Sequence, residues 1–215
     1  MKSKRFMTLL STLLLGTMLI TVGACGEKVE ISGEDLTKGF KAESADIMDT
    51  YNEEDNKAAF NFSMELFKRN LLCDNTLISP ISVFSALGMT ANGARENTLA
   101  QMEEVFGLSR EKINKLLELY KRNLPDEEKL KVNMANSIWF KKDETFKVVE
   151  KFLQTNANYY DAAIYEAPFD DTTLKSMNDW VSEETDEMIK DIVDEIPDDA
   201  VMYLINALSF VAEWD

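Results

Sequence analysis

The chain has 215 residues, 45% of them hydrophobic, with no histidine and a net charge of −16. Without imidazole there is no Ser-His-Asp or Cys-His catalysis and almost no zinc chemistry, and the acidic balance opposes nucleic acid and anionic lipid. No P-loop, GxSxG or GxGxxG motif is present, so the residues point away from an enzyme and from a nucleotide cofactor.

Lys2, Lys4 and Arg5 precede an apolar run over 6–22, and Val22-Gly23-Ala24-Cys25 follows. A positive start, a short apolar run and small residues form a secretory signal. A cysteine directly after the small residues reads as a bacterial lipobox: 1–24 is the signal peptide and Cys25 the lipidated new N-terminus. A plain signal peptide with an incidental cysteine, or an uncleaved anchor, would begin in the same way, although the run is short for a spanning helix. The lipid would hold an exported protein on a membrane, at the cell surface or in the extracellular space. Residues 25–45 are polar, without a sustained period, and read as a tether to a domain over 46–215. Only Cys73 then remains, so the domain stands on its core without an internal disulfide.

Phe60, Met64, Phe67 and Leu71 recur at helical spacing and predict one apolar face. The sequon Asn61-Phe62-Ser63 falls on that helix and is discounted. Thr76-Leu77-Ile78 is a short apolar run. Ser79-Pro80 then places a hydroxyl at an N-cap and proline at the first helical position. The helix over 80–91 is apolar almost all round, which suits a buried helix. Asn92-Gly93 closes it, and Asn97-Thr98 is expected to open the next. Ile113, Leu116, Leu117 and Tyr120 mark a further amphipathic helix that ends before Pro125.

Residues 131–140 suit a strand, 150–160 a helix and 162–165 a short strand. Leu174, Met177, Trp180 and Val181 mark one face of a surface helix. Nine acidic residues and one base, Lys190, lie between Glu183 and Asp199. Such a run is usually solvated, and no loop alternates Asp or Asn around a glycine as a calcium site does. Residues 201–214 are apolar on both alternating sets, as a strand covered on both faces is. Asn206 interrupts one set, and a buried amide without partners costs about 1–3 kcal/mol.

Four blocks in order carry a family resemblance. They are the capped helix from Ser79, Asn133-x-x-Asn136-x-x-Trp139, Asn178-x-Trp180-Val181-x-x-x-Thr185, and Asn206-Ala207…Phe210…Trp214. Together they resemble the serpins, serine protease inhibitors that work by changing shape. The resemblance spans about 45–215 and implies an α+β fold, with helices packed on a large mixed β-sheet and the C-terminal half of the domain missing. It implies that a protease attacks a strained loop, which then inserts as a new strand beside the third strand of the sheet. That loop lies downstream of this sequence, so the chain is expected to be inactive alone. The partner implied is an extracellular serine protease, or a cysteine protease, with no cofactor, metal or nucleic acid. Ser79, Ser82, Asn178 and Asn206 resemble the polar group of the shutter, and Trp214 the residue where insertion begins. Each also has a plain reading: a helix cap for Ser79, a backbone bond for Ser82, a satisfied core amide for Asn206, packing for Trp214. A non-inhibitory serpin relative, or a tethered ligand-binding lipoprotein, is the alternative. Glu96 and Asp186-Glu187-Met188 depart from the family pattern, the former standing where it has glycine, the latter where it has Gly-Lys-Ile.

Overall fold

A computed structural model describes residues 31–42, 50–71 and 75–213. Cys25, Cys73 and Trp214 lie outside the described residues. Strand β1 (Glu34–Asp35) and a 3-10 turn (Thr37–Phe40) precede four helices, α1 (Glu53–Arg69), α2 (Pro80–Gly93), α3 (Glu96–Phe106) and α4 (Arg110–Arg122). The short β2 (Asp126–Glu127) turns into the long β3 (Leu130–Lys141), followed by α5 (Glu150–Tyr160), β4 (Ala163–Ala167), α6 (Asp171–Glu184) and β5 (Met202–Ala212).

β3 is the centre of the sheet. It runs parallel to β4, with α5 as the crossover, and antiparallel to β5 from Leu130↔Ala212 to Phe140↔Met202. The strand period then sorts the side chains. Ala135, Trp139, Ile205 and Ala207 face Met177, Trp180 and Val181 of α6, while Ile138 and Phe140 join Phe84 and Met89 of α2, Leu117 of α4 and Leu153 of α5. Both faces of the sheet are thus covered by helices. Trp139 stacks on Tyr165 at 4.2 Å between ring centroids, and its indole donates to Ser137 Oγ at 2.9 Å.

The cap of α2 lies where the sequence places it, and α6 has an aspartate cap that the sequence reading did not name. Ser79 Oγ accepts from Ser82 N, with Pro80 in the first turn, and Asp170 accepts from Thr172 N and Thr173 N. Helix α3 differs from expectation: it begins at Glu96, and Arg95 at its N-cap makes no side-chain bond. Glu96 adopts φ 48° and Asp186 φ 50°. Both departures from the family's glycines therefore fall at left-handed positions, where a Cβ is strained.

The face expected of α1 is also corrected. Ala59 and Phe62 are buried with Leu66 beside them, whereas Phe60 is 62% and Leu71 55% exposed. Two apolar stripes compete on this helix. The one holding Phe62 wins because that ring meets Phe84 at 5.1 Å and Phe106 at 5.3 Å.

Residues 31–42, expected as part of a tether, are docked. Glu34 and Asp35 pair with Glu166 and Tyr165 on the outer edge of β4. Leu36 N donates to Ile164 O at 2.9 Å, and Ser32 N to Ser176 Oγ at 2.8 Å. Gly33 has φ 107°, and a Cβ there would stand 2.4 Å from Glu166 O, so only glycine allows this approach.

Candidate functional site

β5 pairs with β3 along its length, and among the described residues nothing pairs with its other edge. A cleft of about 560 Å³ follows that edge. Ser82, Val83 and Ala86 of α2 line one side, residues 203–206 of β5 form the wall, and residues 192–195 close the far side.

The expected site residues fall into two groups around this cleft. Ser82 and Asn206 line it directly. Ser79 adjoins it through Ser82, with the two hydroxyl oxygens 2.9 Å apart. Asn178 sits on α6, across the sheet, and acts on the chain segment beyond its own helix. Its Oδ1 accepts from Ile192 N at 2.9 Å and Val193 N at 3.0 Å, and its Nδ2 donates to Val193 O at 2.8 Å. It therefore pins the side of the cleft that the acidic segment supplies. That segment is solvated for most of its length, yet Ile189, Val193 and Ile196 pack onto the core beneath α6.

Asn206 is the polar centre of the edge. Its Nδ2 donates to Asn136 Oδ1 at 2.9 Å, and Asn136 Nδ2 donates to Tyr160 O at 2.8 Å. Its own Oδ1 is buried and has no donor among the described residues. Such an acceptor costs about 1–3 kcal/mol until a donor arrives.

Sequence reasoning assigned no role to Asn136, although it named the residue in a motif, and missed a second polar knot entirely. Tyr160 donates its hydroxyl to Asn114 Oδ1 at 2.9 Å, and Asn92 Nδ2 donates to Asn114 Oδ1 at 3.1 Å and Asn156 Oδ1 at 2.9 Å. The knot ties α2, α4 and α5 in the core, and burial pushes the Tyr160 phenol well above its usual range. The available signal was an asparagine beside each apolar face. Near the other face, burial and then the Asp35 carboxylate push Tyr165 up to about 12. Burial, reinforced by Glu183, raises the Glu184 carboxyl above its ordinary value.

Helices on both faces of a mixed sheet, with the outer edge of β5 unpaired among the described residues, define an α+β architecture. The serpin family model, described as serine protease inhibitor, matches residues 54–215. The chain belongs to the serpin family. Alpha-1-antitrypsin of Sus scrofa is 27% identical over 92% of this chain and 51% of its own length. Neuroserpin of Gallus gallus is 32% identical over 66% of this chain and 36% of its own. The thermophilic serpin tengpin in its native state matches with TM-score 0.79 at 43% identity, covering 86% of this chain and 48% of that one. The chain thus spans about half, or less, of the length of these relatives. Among the described residues no helix is long and apolar enough to cross a membrane.

Proposed function

We propose that this chain supplies the N-terminal part of a serpin domain that inhibits serine proteases by strand insertion, and that the cleft beside β5 receives the inserted strand. The serpin family match over residues 54–215, with the cleft that Ser82 and Asn206 line beside β5, supports this reading. A strand entering there would pair with the backbone groups of β5 that face away from β3, a form of strand addition. Ser79, Ser82, Asn178 and Asn206 are the polar group around the opening, and Trp214 marks the end where insertion starts. Insertion changes the packing on both sheet faces at once, so it is a switch between two packed states. The protease attacks a loop outside these residues, so residues 1–215 alone do not inhibit. The target is a serine protease, or a cysteine protease, outside the cell. Removal of 1–24 and lipid on Cys25 hold the protein on a membrane to meet it.

The test is a gel assay. The 215-residue chain and a domain-length protein are each incubated with trypsin, chymotrypsin and elastase. The domain-length protein should form an SDS-stable complex with a protease that attacks its loop, and the shorter chain none. A stable complex with the shorter chain would overturn the assignment of the attacked loop to other residues. A domain-length protein cleaved in its loop without trapping would overturn the inhibitory reading.

A further inference from the structure

The docked residues 31–42 fix which end of the domain a lipid on Cys25 can hold at a bilayer. Ile31 packs into the core beneath α6, and Ser32 bonds to Ser176, with its hydroxyl 2.7 Å from Thr172 Oγ1. β1 is antiparallel to β4, so residues that precede Glu34 lie past Glu166, at the Ala167 end. That end of the sheet also carries Lys141, which pairs with Ala167 and takes Val201 O as its backbone acceptor. Six Cα–Cα steps join Cys25 to Ile31, and fully extended they reach about 20 Å. The opposite end of the sheet, where Leu130 pairs with Ala212, is ten β3 residues away from Phe140, or about 33 Å at ~3.3 Å per residue. A tether this short cannot bring the two ends to the membrane equally.

We propose that residues 31–42 are an orientation clasp: the Lys141–Ala167 end of the sheet faces the membrane, and the end of β5 that leads to Trp214 points away from it. The proposal rests on lipid attachment at Cys25. The clasp lies outside residues 54–215, which match the family model. It engages both sheet faces, with Ile31 in one core and Leu36 and Phe40 in the other, and Gln154 Nε2 donates to Lys41 O at 2.9 Å at its far end. Undocked, it would extend the tether to α1 and the orientation would be lost.

Energy transfer to a lipid surface tests this. The lipidated protein, with Cys73→Ser, carries one fluorophore at Glu144→Cys or at Glu128→Cys, both exposed, on phosphatidylcholine vesicles with a rhodamine headgroup acceptor. Transfer should be several-fold greater from Glu144→Cys, beyond Lys141, than from Glu128→Cys in the β2–β3 turn. Equal or reversed transfer overturns the proposal. Leu36→Asp with Phe40→Asp should undock the clasp and even out the two signals; a bias that survives undocking overturns the clasp as its cause. The mass of the mature N-terminus is read separately. An unlipidated Cys25 would sink the anchoring reading itself, and the orientation with it.

Discussion

Asn206 and Asn136 face each other in the β5–β3 register, and one amide donates to the other at 2.9 Å. The two residues are not equivalent. Asn136 both accepts from Asn206 and donates to Tyr160 O, whereas Asn206 brings a carbonyl with no donor among the described residues. Asn136→Ala strands two partners and should cost about 1–3 kcal/mol. Asn206→Ala strands one partner but also removes its own unpaired acceptor, so it should cost clearly less. Urea titration of both variants checks the order; equal losses would mean that the Asn206 carbonyl is satisfied.

Gly88 is the point where α2 meets the polar knot. A Cβ there would lie 2.5 Å from Tyr160 Oη and 3.0 Å from Leu117 Cδ1. Tyr160 is buried and bonded to Asn114, so its hydroxyl has nowhere to retreat. Gly88→Ala should therefore destabilise by about 1–3 kcal/mol, as overpacking does. In the Tyr160→Phe background the hydroxyl is gone and the added cost should shrink. A double-mutant cycle by chemical denaturation measures that coupling.

Glu96 and Asp186 both sit at positive φ. The left-handed conformation costs a side-chain residue about 1–2 kcal/mol, against the ~0.5–1 kcal/mol that glycine loses in chain entropy. Glu96→Gly should raise stability by roughly 0.5–1 kcal/mol, as read from the urea midpoint. Asp186→Gly should gain less, because aspartate tolerates this region by bonding locally.

Two carboxylates give opposite pH signs. Burial, then Glu183, raises the Glu184 pKa above its ordinary 4.5. Its stabilising contribution is full below the unfolded value and is lost as pH rises through the folded one. Glu184→Gln should thus be more stable than the parent at neutral pH and no more stable in acid. Asp170 is held below its ordinary 3.8, first by the Thr172 hydroxyl and then by the backbone of Thr173. Its contribution is present above the unfolded value and is lost as pH falls through the folded one. Asp170→Asn keeps the cap but removes that term, so its unfolding temperature should fall less on acidification. Melting curves across the acid range test both signs.

Local grammar made much of this fold legible. Ser79-Pro80 and the apolar run after it set α2, and helical spacing set α4, α5 and α6. Alternation in 201–214 correctly placed Ile205 and Ala207 on one face and Met202 and Leu204 on the other. What failed needed a choice between equivalent patterns, as on α1, where two stripes competed and only packing against Phe84 decided. The clasp was invisible for another reason. Its hold comes from backbone pairing, serine and threonine hydroxyls, a close glycine contact and three scattered apolar anchors, Ile31, Leu36 and Phe40, which together make no sustained period. Of the site, Ser82 and Asn206 were named and do meet at the cleft, while the link from Asn206 to Asn136 spans 70 positions and has no local signature. Trp214 and Cys25 lie outside the described residues.

The most direct measurement is amide hydrogen exchange along β5 in a domain-length protein, before and after a protease cuts its exposed loop. Alternate residues of β5 direct their N–H groups away from β3. Strand insertion predicts that these amides become more strongly protected after cleavage, while those bonded to β3 barely change. A cleaved loop with β5 exchange unaltered would contradict insertion at this edge.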